Sequence, residues 1–193
     1  MSLDEEKLGK AIDLLKSLDV EQLLSEATST ASELPPTESV GDKNPRSSAL
    51  SPIVIDLKGL ASMHTPENTS ILYIDPSDTS DRLYPFCLAL QKLFRNEGIL
   101  LPDDRNLKLH ATIVNTIYAK GRNSQGHGPN AKAPLKIDAR ALLEEYKDFV
   151  WAENVVLDRI AICEMGAKRR MDDNGNVVGE EYTEVVSVTL PVG

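Results

Sequence analysis

The sequence predicts an α+β fold, and three patterns carry that expectation. Apolar residues recur at helical spacing near the N-terminus, and short alternating runs of apolar and polar residues fill the middle. A strong turn signal, Asp172-Asp-Asn-Gly-Asn, separates two apolar runs near the C-terminus. Strands and helices are mixed, without the regular alternation that builds a parallel sheet.

In chain order, residues 4–18 form an amphipathic helix, with Leu8, Ala11, Ile12, Leu15 and Leu18 on one stripe and acidic residues in the first turn. A second short helix is expected over 21–30. Residues 32–52 hold Pro35-Pro36, Gly41-Asp42, Asn44-Pro45 and several serines with little apolar content, which predicts a flexible loop or insertion. Residues 53–58 form a strand, and residues 71–75 its neighbour, closed by Pro76. Asp81 is placed to cap a helix running to Glu97, with Gly98 as its stop. Leu83, Phe86, Cys87, Leu90 and Phe94 make the buried stripe of that helix. Residues 107–116 form a further strand, residues 121–134 a loop, and Asp138 caps a helix reaching Asp148. The runs 155–164 and 183–190 close the fold as a hairpin. Trp151 packs where the last helix meets the next strand.

At 193 residues the chain is long enough for one domain or two small lobes; the reading here is a single domain over 1–193. Hydrophobic residues make up 41% and charged residues 26%, a composition ordinary for a soluble globular protein. The net charge of −9 excludes a general nucleic-acid coat or an anionic-membrane binder. That charge is uneven. Arg105, Lys108, Lys120, Arg122, Lys132 and Lys136 lie in a stretch without Asp or Glu, so the stretch carries +6 and, against the total of −9, the rest carries −15. A basic loop beside a strand accounts for this as well as a field for a phosphate-bearing ligand does. Cys87 and Cys163 match no CxxC or zinc spacing, which predicts free, mostly buried thiols in a reducing compartment. The N-terminus lacks the features of a signal peptide, and no run approaches the roughly 18 apolar residues of a membrane span. The expected location is intracellular, nuclear or cytoplasmic, with no membrane partner.

The chemistry concentrates in Leu107-Lys-Leu-His-Ala-Thr-Ile-Val-Asn-Thr116. Alternation sets Leu107, Leu109, Ala111 and Ile113 against Lys108, His110, Thr112 and Val114. His110 and Thr112 then share one face about 7 Å apart. A histidine transfers protons near neutral pH, and a threonine hydroxyl beside it can hold a phosphate oxygen. A lone histidine on a strand is more often structural, and His-x-Thr is a weak signal by itself. His64, in Met-His-Thr-Pro, and His127, in Gly-His-Gly-Pro, lie in turn and loop sequence and do not substitute for it. Lys168-Arg-Arg170 is expected to be a solvated hairpin arm, and Asp172-Asp-Asn-Gly-Asn a turn rather than a calcium loop, since no Glu follows at the required spacing.

Ile55-Asp-Leu-Lys-Gly-Leu-Ala-Ser-Met63, Ile71-Leu-Tyr73, Phe94-Arg-Asn-Glu-Gly98 and Leu109-His-Ala-Thr-Ile-Val-Asn-Thr116, with Phe149 and the run 155–163, resemble the 2H phosphoesterase superfamily. The resemblance points to the branch of the A-kinase anchoring protein central domain (2′–5′ RNA ligase-like) and the first subunit of the activating signal cointegrator complex. It implies two lobes of antiparallel sheet lining a cleft, each offering one His-x-Thr strand. It further implies that one histidine acts as base and the other as acid on a 2′,3′-cyclic or 2′–5′ phosphodiester of a nucleotide or RNA. The threonines hold phosphate oxygens, and no metal or other cofactor is required. His110 and Thr112 match the second motif, with Lys108 and Lys120 as candidates for substrate charge support.

The first motif of that family precedes the first helix, where this chain has only Met1-Ser-Leu. The expectation is therefore an N-terminally incomplete domain with unpaired sheet edges and impaired catalysis. Losing one of two proton-transfer groups costs roughly 10²–10⁴-fold in rate. The alternative is a non-catalytic nucleotide-binding module, or a protein-interaction module of a coactivator, repair or kinase-anchoring assembly.

Overall fold

A computed structural model describes residues 4–31, 51–101, 103, 105–116 and 135–192. Residues 32–50 of the loop expected over 32–52, the loop at 121–134, Lys120, His127 and the Met1-Ser-Leu segment lie outside the described residues. The chain has a mixed α+β architecture of antiparallel sheets and helices, divided into two compact units.

The first unit takes residues 1–53, 80–105 and 156–193. Helix α1 (Glu5–Lys16) starts at Asp4, whose side chain accepts from the Lys7 N–H at 2.8 Å, and buries Ala11 and Leu15. Helix α2 (Val20–Ala31) turns Leu23, Leu24 and Ala27 inward and packs on α3 (Leu83–Asn96). Gly98 ends α3 at φ 67, and the Ile99 N–H reaches back to the Phe94 carbonyl at 3.1 Å, closing the last turn. Asp81 does not cap α3. It sits at φ 54, and Arg82 occupies the cap position because its buried guanidinium is drawn to the Ser51 and Pro52 carbonyls. Strand β7 (Arg159–Cys163) pairs antiparallel with β10 (Glu184–Thr189), against which α1 lies. Between them β8 (Lys168–Met171) and β9 (Val177–Glu181) form a ribbon, so the closing hairpin is longer than expected and its strands start later than residue 155.

The second unit takes residues 54–79 and 106–155. One sheet has the order β4 (Pro76–Asp78), β1 (Val54–Lys58), β6 (Val150–Val156). The other has the order β2 (Ala61–Ser62), β3 (Ile71–Ile74), β5 (Ala111–Asn115). The run at 71–75 is therefore not the neighbour of 53–58, and Pro76 does not end the strand region. The chain leaves β3 and at Pro76 joins the other sheet as the edge strand β4, a position where a residue without an N–H is tolerated. Strand β3 is buried on both faces through Leu72, Tyr73 and Ile74. Helix α4 (Arg140–Glu145) stops short of Asp148, and its cap is Ala139. Asp138 instead accepts from the Arg140 N–H at 3.2 Å and pairs with the Arg140 side chain.

Candidate functional site

Strand β5 carries the site, and its alternation explains what it presents. Leu107, Leu109 and Ala111 are half-buried, while Lys108, His110 and Thr112 are exposed. The hydrogen-bonded ladder is shorter than the predicted strand, beginning at Ala111. The expected phase also fails past Thr112. Tyr73 stands opposite Thr112 and Leu72 opposite Val114, so Ile113 is an extra residue on β5. This bulge turns Ile113 outward, to 42% exposed, and leaves Val114 half-buried. Sequence alternation cannot reveal such a bulge, because it needs the partner strand.

His110 immediately precedes β5, with Nδ1 2.9 Å from the Lys108 carbonyl oxygen. A carbonyl only accepts, so Nδ1 carries the hydrogen and Nε2 is left to take up or deliver a proton. Beneath His110 lies Tyr73, only 3% exposed, with ring centroids 5.8 Å apart and planes at 79°. The Lys108 ammonium sits 4.3 Å from the Tyr73 ring centroid. The Tyr73 side chain above all, with a smaller pull from the Asp75 carboxylate, holds the Lys108 ammonium above the ordinary lysine range. Tyr73 thus joins His110, Lys108 and Thr112. The sequence marked Tyr73 only as part of a strand; its register against Thr112 supplies the rest.

The basic stretch is weaker than its residue count. Arg105 is held by Asp103 through both carboxylate oxygens, at 2.9 and 2.6 Å, and that pairing pulls the Asp103 carboxyl down to about 2. Lys136 Nζ lies 3.5 Å from the Ser70 hydroxyl. Thr116 is buried; its hydroxyl donates to the Leu135 carbonyl and its N–H to the Ser70 carbonyl at 3.0 Å. The end of β5 is therefore structural. His64 is exposed, with Nδ1 3.5 Å from the hydroxyl of the fully buried Thr69, whose backbone exchanges two hydrogen bonds with Ile137. Asp172 accepts from the Asn174 and Asn176 N–H groups at 2.9 and 2.8 Å, as a turn residue does. Lys168 pairs with Glu164 at 2.8 Å and Arg169 with Glu180 at 3.6 Å, in keeping with a solvated hairpin arm.

Residues 1–180 match the model of the AKAP7 2′5′ RNA ligase-like domain. The chain belongs to that family. It is also 29% identical over 141 residues to an uncharacterized protein of Schizosaccharomyces pombe, covering 72% of this chain and 59% of that protein. Over 109 residues it is 26% identical to Activating signal cointegrator 1 complex subunit 1 of Mus musculus, covering 51% of this chain and 31% of that protein. Each alignment takes in less than two thirds of the relative's own length. Among the described residues of this AKAP7 2′5′ RNA ligase-like chain, no helix is long and apolar enough to cross a membrane.

Proposed function

We propose that this chain is a 2H phosphoesterase-like domain that binds a nucleotide or RNA phosphate at the His110 face and supports hydrolysis of a 2′,3′-cyclic or 2′–5′ phosphodiester. The observation that carries the reading is the oriented imidazole of His110, hydrogen-bonded through Nδ1, in a chain of this family. His110 serves one of the two proton transfers through Nε2, accepting from the attacking water or donating to the leaving ribose oxygen, and turnover with one such group is impaired. The hydrogen bond from Nδ1 to the Lys108 carbonyl keeps Nε2 turned outward. Thr112 donates a hydrogen bond to a non-bridging phosphate oxygen, and the Lys108 charge supports the dianion. Lys120 is a further candidate for that support.

Calorimetry with AMP and CMP tests this directly. Binding in the micromolar range that disappears in His110→Ala is the expected result. Equal binding by the wild-type chain and His110→Ala, or none by either, removes the nucleotide reading. A 2′,3′-cyclic nucleotide assay on the same proteins then separates binding from turnover.

A further inference from the structure

We infer that Tyr73 is a positioning residue for this site, one buried ring that fixes both the His110 imidazole and the Lys108 ammonium above β5. The inference rests on the nucleotide-phosphate reading for its ligand, and on geometry for its mechanism. Tyr73 is 3% exposed and lies on β3, a strand with Leu72 and Ile74 buried on either side of it, so its ring has little freedom to move. His110, Thr112 and Lys108 by contrast are exposed, and an exposed side chain ordinarily samples several rotamers.

The ring offers each neighbour a different interaction. His110 meets it at 79°, an edge-to-face arrangement in which a positive ring edge faces a negative ring face. Lys108 places its ammonium 4.3 Å from the centroid, where the quadrupole attracts a cation. Tyr73 also stands directly opposite Thr112 in the β3–β5 ladder, so the hydroxyl shares the face on which the ring lies. A cation, a proton-transfer nitrogen and a hydroxyl are therefore gathered on one side of β5 without any of the three being buried. A phosphate monoester arriving there meets groups whose ordering has already occurred, which is where preorganisation gains affinity.

The test compares Tyr73→Leu with Tyr73→Phe, the second keeping the ring and losing only the hydroxyl. In the ligand-free protein, the His110 Cε1–H and Cδ2–H resonances report the ring-current field of Tyr73. They should move towards unstructured values in Tyr73→Leu and stay near wild type in Tyr73→Phe. AMP affinity should fall about tenfold in Tyr73→Leu and hold to within about threefold in Tyr73→Phe. Unmoved His110 resonances in a folded Tyr73→Leu protein overturn the inference, as do equal affinity losses in the two variants. Where Tyr73→Leu fails to fold, Lys108→Met and Lys108→Arg decide, since Lys108 is exposed. Met should weaken AMP about tenfold while Arg, which still stacks on the ring, holds; wild-type affinity in Lys108→Met overturns the inference. If the wild-type chain binds no AMP, the nucleotide reading falls, and the resonance comparison still decides the role of Tyr73.

Discussion

Trp151 donates its indole N–H to the carbonyl oxygen of Gly59 at 2.7 Å, while the Gly59 N–H donates to the Phe149 carbonyl at 2.8 Å. Gly59 is at φ 75, and a Cβ there would lie 2.8 Å from the Lys147 carbonyl oxygen. The turn after β1 is thus clasped on two sides by the start of β6 and the segment leading into it. Around it Tyr146, Phe149 and Trp151 form an aromatic cluster with centroid separations of 4.8 to 5.6 Å.

Gly59→Ala should therefore be among the more damaging small substitutions in the second unit. The positive φ costs about 1–2 kcal/mol for a residue with a Cβ, and the contact with backbone oxygen adds to it. A loss of roughly 2–3 kcal/mol in urea unfolding is expected. Trp151→Phe keeps most of the stacking and leaves one carbonyl unpaired, for a loss of about 1–2 kcal/mol. Unfolding midpoints within error of wild type for both variants would show that the clasp contributes nothing.

A second structural dependence runs through Arg82. It is 4% exposed, yet donates to the Ser51 and Pro52 carbonyls at 3.0 and 2.8 Å and to the Ser80 hydroxyl at 3.0 Å. The planar fork reaches three acceptors at once, which an ammonium on a flexible stem cannot do. Arg82→Met should cost roughly 2–4 kcal/mol by removing the hydrogen bonds of this buried guanidinium, and Arg82→Lys most of that. Denaturation of the two variants checks this; full stability in Arg82→Lys would mean charge alone suffices.

The sequence carried these elements unequally. Helix α1 was legible because its cap, first-turn acids and apolar stripe all agree, and α3 because Gly98 marks its end. Local signals failed wherever a distant residue decided the outcome. Asp81 has the chemistry of a cap but lost the position to Arg82, whose partners lie some thirty residues earlier. Pro76 looked like a stop, yet it begins an edge strand because β1 lies alongside to pair with it. His110, Thr112 and Lys108 were legible as one exposed row by period two, whereas the Ile113 bulge and Tyr73 depend on β3. Cys163 was expected to be buried but is exposed, because β7 turns Arg159, Ala161 and Cys163 outward and Ile160 and Ile162 inward.

Cys87 differs from Cys163 in a way that pH can read. Burial on α3 pushes its thiol from 9.0 up to about 11. Below pH 9 the thiol is protonated in both the folded and the unfolded chain, and its full contribution to stability is present. Between about pH 9 and 11 the unfolded chain ionises while the folded one does not, so stability falls as pH rises through the folded value. Discounted for partial exposure, the loss is roughly 2 kcal/mol. Cys87→Ala should accordingly lose less stability between pH 8 and pH 11 than the wild-type chain. Parallel stability curves would rule out the burial effect. At pH 8, a disulfide-exchange reagent should label Cys163 first and Cys87 only on unfolding.

Thr112 allows the ligand role to be separated from the fold. It is exposed on β5 and stands opposite Tyr73, where any β-branched side chain suits the pleated strand. Thr112→Val keeps that branching and removes only the hydroxyl. Stability should therefore stay within about 0.5 kcal/mol of wild type, as for other surface substitutions. AMP affinity should fall about tenfold, the cost of one charge-assisted hydrogen bond to a phosphate oxygen. Thr112→Ser, which restores the donor, should recover most of it. Adenosine, which lacks the phosphate, should bind wild-type and Thr112→Val proteins equally. A Thr112→Val protein that binds AMP as the wild-type chain does would take the phosphate contact away from Thr112 and leave it a strand residue.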